Sequence, residues 1–133
     1  MKIVAILNII TLLQIILALG LINVWLVRFK KSTKYRGGGA KNMKDEFAVY
    51  GLPSWFMYVV GFFKLAIALV FIGSLFSQSL ASLKLSAFYL LTFLMIGAVY
   101  MHMKVKDPFI KTFPALMMLL MSLLGILLIN TIF

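Results

Sequence analysis

The 133-residue sequence contains no Cys, only 3 acidic residues, one His and 3 Pro, and just 12% of its residues are charged. Each shortage excludes something. Without Cys the chain carries no disulfide scaffold, no thiolate zinc or iron–sulfur site and no dithiol chemistry of its own. With one His, a single copy cannot provide bis-histidine haem ligation, although a symmetric dimer could. A water-soluble domain averages about 25% charged and roughly 45–50% apolar residues. This chain is 64% hydrophobic, so a water-soluble fold is excluded as well. What it does have is 13 Lys plus Arg, giving a formal net charge of +10. Because that charge flanks long uncharged apolar runs, its expected partner is an anionic membrane surface, not a nucleic acid.

The first apolar run extends from Ile3 to Val27, long enough at about 1.5 Å per residue to cross a hydrocarbon core of about 30 Å. A cleaved signal has an apolar region of roughly 7–15 residues ending at small residues; this run is longer and ends in Val27-Arg28-Phe29-Lys30-Lys31, which reads as a stop. A second run starts at Pro53, a residue suited to a helix's first turn, and continues to Phe76 with Lys64 near its middle. A third spans about 85–103. After the polar stretch Lys104 to Pro108 a fourth begins between Phe109 and Phe113. No segment shows the roughly 10-residue alternation of a membrane β-strand, and helices are then the way to satisfy backbone groups in lipid. The expectation is an all-α membrane protein: a four-helix transmembrane bundle forming one domain over 1–133, with helices at about 3–27, 53–76, 85–103 and 110–133.

Four spans put the two basic connections on one side. Arg28, Lys30, Lys31, Lys34, Arg36, Lys41, Lys44, Lys104, Lys106 and Lys111 fall there, against Lys2 and Lys84 opposite. The positive-inside bias makes that side cytoplasmic and places both termini outside. Trp25 and Trp55 fall near the same interface, as an aromatic belt would place them. Within the first connection, Gly37-Gly38-Gly39 argues against helix because glycine loses most backbone entropy on ordering. Residues 42–50 read as a short interfacial helix. Met43, Phe47 and Tyr50 share one face, Asn42 is its N-cap, Asp45 and Glu46 occupy its first turn, and Gly51 and Pro53 end it. Its acids are expected to pair with the surrounding bases.

Arg36-Gly37-Gly38-Gly39-Ala40-Lys41-Asn42-Met43, then Glu46-Phe47 and Tyr50-Gly51-Leu52-Pro53, resembles the first signature of the DoxX-like membrane proteins. Gly97-Ala98-Val99-Tyr100-Met101-His102, followed by Lys104, Lys106-Asp107-Pro108 and Lys111, resembles that family's third helix end and following loop. The resemblance covers nearly the whole chain. It implies a four-helix bundle in a bacterial inner membrane and, in some relatives, association with quinone-linked or thiol-linked oxidoreductases; a distant animal branch acts as a receptor-assembly chaperone. Many relatives carry Glu at the position of Lys64. The reversed sign here argues against carrying over acid chemistry, and the missing Cys argues against thiol exchange.

Lys64 is the most informative residue. A Lys at the centre of a spanning helix costs about 2.5–3.5 kcal/mol on insertion scales, so it is expected to face protein or water. Gly61 and Ala68 leave a groove of small residues beside it. Gln14, on a polar stripe with Asn8 and Thr11, is at similar depth, so Lys64 and Gln14 are candidates to line a pocket for a quinone-like or anionic head group. The structural alternatives are a Lys bonded to the first helix or reaching a partner subunit's carboxylate.

The second candidate is a cytoplasmic cluster of Arg36, Lys41, Glu46, Tyr50, His102, Lys104 and Asp107, in which the glycine run exposes backbone N–H groups to an anion. Its plain alternative is a solvated basic loop that attracts anionic lipid. The phosphate-loop ending Gly-Lys-Ser/Thr is absent. His102 is expected to cap the third helix or to pair with Glu46 or Asp107. Met101 and Met103 beside it do not make a metal site, because adjacent helical side chains diverge. Gly97 and Gly125 are expected at close helix crossings.

With no nucleophile–base pair, paired intramembrane carboxylates or metal-ligand spacing, the sequence points away from a self-contained enzyme. The leading expectation is an accessory or ligand-binding subunit of a membrane redox system, with a membrane-protein partner or a homo-oligomer. An assembly or scaffolding protein using Lys64 on a client is the alternative. A small transporter or channel is the weaker third.

Overall fold

Four long runs without an acidic residue must satisfy their backbones internally, and each forms one continuous helix in the computed structural model, which describes residues 2–132. Helix α1 (Lys2–Ile22) runs on through a π turn, Asn23–Val27. After a basic loop come the short α2 (Met43–Val49) and the long α3 (Ser54–Gly73). A one-turn helix, α4 (Gln78–Ala81), precedes α5 (Lys84–Lys104) and α6 (Phe109–Ile132). The four long helices are long and apolar enough to span a membrane.

In the bundle α1 packs on α3 and α6, and α5 on α3 and α6, so sequence neighbours run in alternating directions around a closed ring. Ile10, Leu17, Leu21, Phe71, Phe88 and Leu91 are almost fully enclosed at the centre. The outside is equally apolar: Leu12, Leu19, Phe62, Leu69, Phe93 and Leu127 are all more than half exposed, as a lipid-facing surface requires. A second, smaller core of Trp25, Met43, Phe47 and Met57 lies under α2 at the basic end.

Local chemistry explains most element ends. Asn42 Oδ1 accepts from the Asp45 N–H at 2.8 Å, the predicted N-cap of α2, and Gly51 leaves that helix at φ +80°. Pro53 stands just before α3 as its cap residue instead of inside its first turn. Helix α3 also ends three residues before the expected Phe76. Leu75 and Phe76 prolong the apolar run but belong to a turn leading to Ser77, which caps α4. Hydropathy cannot register a helix end whose flank is itself apolar. The glycine run does form one turn of 3₁₀ helix, contrary to expectation, but through left-handed Gly38 (φ +59°) and Gly39 (φ +76°), conformations that glycine adopts freely.

Three packing expectations change. Trp25 is not a belt residue: it is buried inside the bundle, while Trp55 is 67% exposed. Gly97 sits at no crossing, since a Cβ there would meet nothing within 4 Å. Gly125, by contrast, is filled by the Phe88 ring, a close α5–α6 crossing.

Candidate functional site

At the basic end the two loops meet in a buried chain of ionisable groups. Arg36 is only 4% exposed, and its guanidinium spends every nitrogen inside the protein. Nε donates to the Lys31 carbonyl at 3.0 Å, Nη2 to the carbonyls of Arg28 and Phe29, and Nη1 to Glu46 Oε2 at 3.1 Å. Glu46, on the inner face of α2, accepts at Oε1 from the Gly37 N–H at 3.2 Å and from the Tyr50 hydroxyl at 2.8 Å. The Tyr50 oxygen lies 3.4 Å from His102 Nε2 at the end of α5. His102 Nδ1 is 2.7 Å from Asp107 Oδ2, and Asp107 Oδ1 accepts from the Gly38 N–H at 3.0 Å. The chain thus runs from the glycine turn through both connections and back to it.

The glycine turn faces anions, as the sequence suggested, but they are the protein's own carboxylates. A Cβ on Gly37 would fall 2.6 Å from the Tyr50 hydroxyl oxygen and 3.0 Å from Asp107 Oδ2, so the turn needs glycine to approach both. Lys106, at φ +58°, bends the chain so that Asp107 returns to the His102 ring. Of the partners considered for His102, Asp107 is the one it meets directly; Glu46 is reached through Tyr50.

Donor counting limits the proton positions. If Nδ1–H donates to Asp107 on a neutral ring, Nε2 and Glu46 compete for the one Tyr50 proton. As imidazolium, His102 donates to both neighbours, and two cations balance two carboxylates. Burial, followed by the Glu46 carboxylate, pushes the Tyr50 phenol well above its usual range, so Tyr50 stays a hydroxyl donor. Rotating the Tyr50 hydroxyl switches its donation between Glu46 Oε1 and His102 Nε2.

Above this chain, toward the membrane interior, lies Lys64. It is 8% exposed, and its Nζ stands 5.1 Å from the centre of the Trp25 ring. Among the described residues it makes no ion pair. Trp25 takes this position because the π turn re-aims its side chain and Gly61 leaves room: a Cβ on Gly61 would come within 2.8 Å of the ring. Trp25 also walls an apolar slot of about 270 Å³ shared with Phe29, Met57, Tyr58, Gly61, Phe62 and Leu65. Rings at 5.8–6.0 Å spacing, Trp25–Phe47–Tyr50–His102, connect this layer to the polar chain.

Not every candidate converges. Gln14 is fully buried, but its amide donates to the Phe71 carbonyl at 2.9 Å and Ser74 Oγ at 2.6 Å, two turns and more beyond Lys64 along α3. Gln14 and Lys64 therefore do not line one pocket. Asn8 is exposed, so the polar stripe of α1 is not a common lining either. Lys41 is exposed and outside the chain of bonds; Lys104 is exposed and reaches the Tyr50 carbonyl at 3.5 Å. Asp45 meets Asn42 instead of a base. Met103 is 68% exposed and turned away from the buried His102.

Trp25, Phe47 and Met57 are the parts of the site that sequence reasoning missed. The π turn carries no sequence mark, and the one available signal, Gly61 three residues before an intramembrane Lys, does not name the ring that fills its space.

Comparison with known proteins places this geometry. Searches of curated proteins and of solved structures give no match. The model of the DoxX-like family matches residues 32–125, the stretch that holds the glycine turn, α2, Lys64, His102 and Asp107. With that match covering well over half the chain, this four-helix protein belongs to the DoxX-like family.

Proposed function

We propose that the protein is an accessory subunit of a membrane redox system in a bacterial inner membrane, that its basic face is cytoplasmic, and that it binds a quinone-like ligand at Lys64. The observation that carries this reading is Lys64 itself: the residue is 8% exposed, and its ammonium makes no ion pair among the described residues and stands 5.1 Å from the centre of an indole ring. A cation–π contact is worth about 2 kcal/mol when desolvated, less than the hydration an ammonium gives up. A ligand with carbonyl oxygens supplies acceptors, and it would reach Lys64 past the Trp25 ring, which walls the neighbouring slot. Reducing a quinone takes two electrons and two protons. The electrons belong to a partner protein, and the protons to the aqueous phase, because among the described residues aromatic rings and no hydrogen bond join Lys64 to the polar chain.

Burial of Lys64 supports a small ligand over a client helix. Extraction of quinone from gently purified protein, together with Lys64→Leu, tests the reading. Wild type is expected to retain quinone and the variant to lose it, with impaired respiration at unchanged protein level. Absence of any retained quinone or redox partner, with normal respiration in the variant, overturns it.

A further inference from the structure

A second cleft adjoins the slot at the basic end. It has a volume of about 280 Å³ and is lined by Phe29, Lys30, Asn42, Lys44 and Tyr58. Phe29 and Tyr58 line both spaces, so the two share an aromatic wall. The cleft's lining is mixed in chemistry: two lysines and an amide residue beside two aromatic residues.

The two lysines come from separate segments, the turn that follows the first helix and the first turn of α2, and only the fold brings them to one cleft. Both are exposed, and neither belongs to either ion pair found among the described residues. Asp45, the acid next to Lys44, is held by Asn42, which accepts its N–H at 2.8 Å and donates to its carboxylate at 3.3 Å. The lysines therefore present positive charge at the basic end of the bundle, just outside the spanning helices. Phe29 and Tyr58 give the same cleft an aromatic wall suited to the start of an acyl chain.

We infer that this cleft is a specific site for one phospholipid with a net negative head group. The phosphate sits between Lys30 and Lys44, and the start of an acyl chain passes over Phe29 and Tyr58. Charge complementarity selects the head group, and the polar-to-apolar step within one cleft selects a lipid over a free anion. This inference does not depend on the ligand proposed at Lys64. It also differs from general attraction of a basic face, because it assigns two of the ten cations on that face and leaves the others nonspecific.

Native mass spectrometry of the detergent-purified protein, titrated with phosphatidylglycerol and with phosphatidylcholine of the same acyl chains, tests it. One phosphatidylglycerol is expected to bind in preference to phosphatidylcholine. The double variant Lys30→Ala/Lys44→Ala should weaken that binding by about tenfold or more, from two near-surface cations. The charge-matched control Lys31→Ala/Lys34→Ala should leave it within about twofold, both doubles keeping the wild-type melting temperature. Equal losses in the two doubles, or equal binding of the two lipids, would overturn the site in favour of a diffuse basic surface. Competition by glycerol phosphate as effective as by the intact lipid would overturn the acyl contact. Protection of Lys30 and Lys44 from amine labelling by self-association in lipid-free detergent would assign the cleft to a second copy instead.

Discussion

The two ends of the bundle bury polar groups in different ways. At the basic end, Arg36, Glu46, Tyr50, His102 and Asp107 form a closed chain in which each charged group meets an opposite charge or several donors. At the other end, Gln14 and Ser74 use neutral hydrogen bonds, and Gln14 Oε1 has no partner at all. The contrast teaches where interdependence lies. Removing one member of a buried charged chain strands the others, while a neutral pair can be replaced with little loss. The basic end also joins segments more than fifty residues apart, through Gly38–Asp107 and Tyr50–His102, so it locks two loops that hydropathy alone leaves independent.

The largest expected break in that contrast is Glu46→Ala. It leaves the Arg36 charge buried and removes the acceptor of the Gly37 N–H and the Tyr50 hydroxyl, so a loss of about 3–5 kcal/mol is expected in denaturant unfolding in detergent. A loss below about 1 kcal/mol would show that the chain is not acting as a unit.

Tyr50→Phe should cost less at neutral pH, about 1.5–3 kcal/mol for a hydrogen bond to a charged group. It should also change the pH dependence. The phenol's pKa is raised in the folded state, so its contribution is present below the unfolded value near 10.0 and falls as pH rises beyond it. Unfolding followed between pH 9 and about 11 should show wild type losing stability faster than the variant. Parallel curves would mean that the hydroxyl is not buried against Glu46.

Gly61→Ala tests the seat of Trp25. The added Cβ meets the indole at 2.8 Å, and overpacking of this kind costs about 1–3 kcal/mol. Indole fluorescence should shift with it. Gly97→Ala, whose Cβ meets nothing, should be neutral or gain up to about 1 kcal/mol from helix propensity. Reversal of that order would place Trp25 elsewhere.

The smallest effect belongs to the opposite end. Gln14→Met removes the unpartnered oxygen together with the amide, and the Phe71 carbonyl keeps the Ser74 hydroxyl at 3.0 Å. A change within about 1 kcal/mol of zero is expected in the same unfolding assay. A loss approaching that of Glu46→Ala would erase the difference between the two ends.

How much of this was readable in the chain follows the range of each interaction. The four spans, the Asn42 cap and the inner face of α2 depend on residues within a few positions of one another, and the structure places them close to where sequence reasoning did. The meeting of Arg36, Glu46, Tyr50, His102 and Asp107 at one end was readable only as a consequence of topology, since two basic connections on one side must be neighbours. Their order in the chain of bonds was not, because it depends on the left-handed turns at Gly38 and Lys106. Gln14 and Lys64 were expected at one depth, but the offset between two helices is set by their packing and not by position within each run, and Gln14 meets α3 two turns beyond Lys64.

The sequence by itself determined the class of protein and the side that carries its charge, because hydropathy and charge act residue by residue against lipid and water. Only the tertiary structure decided that Trp25 turns inward over Lys64, that Gly61 makes room for it, and that the glycine turn binds the protein's own carboxylates. Those outcomes depend on helix rotation and on contacts across the bundle, and packing sets both only after the helices exist.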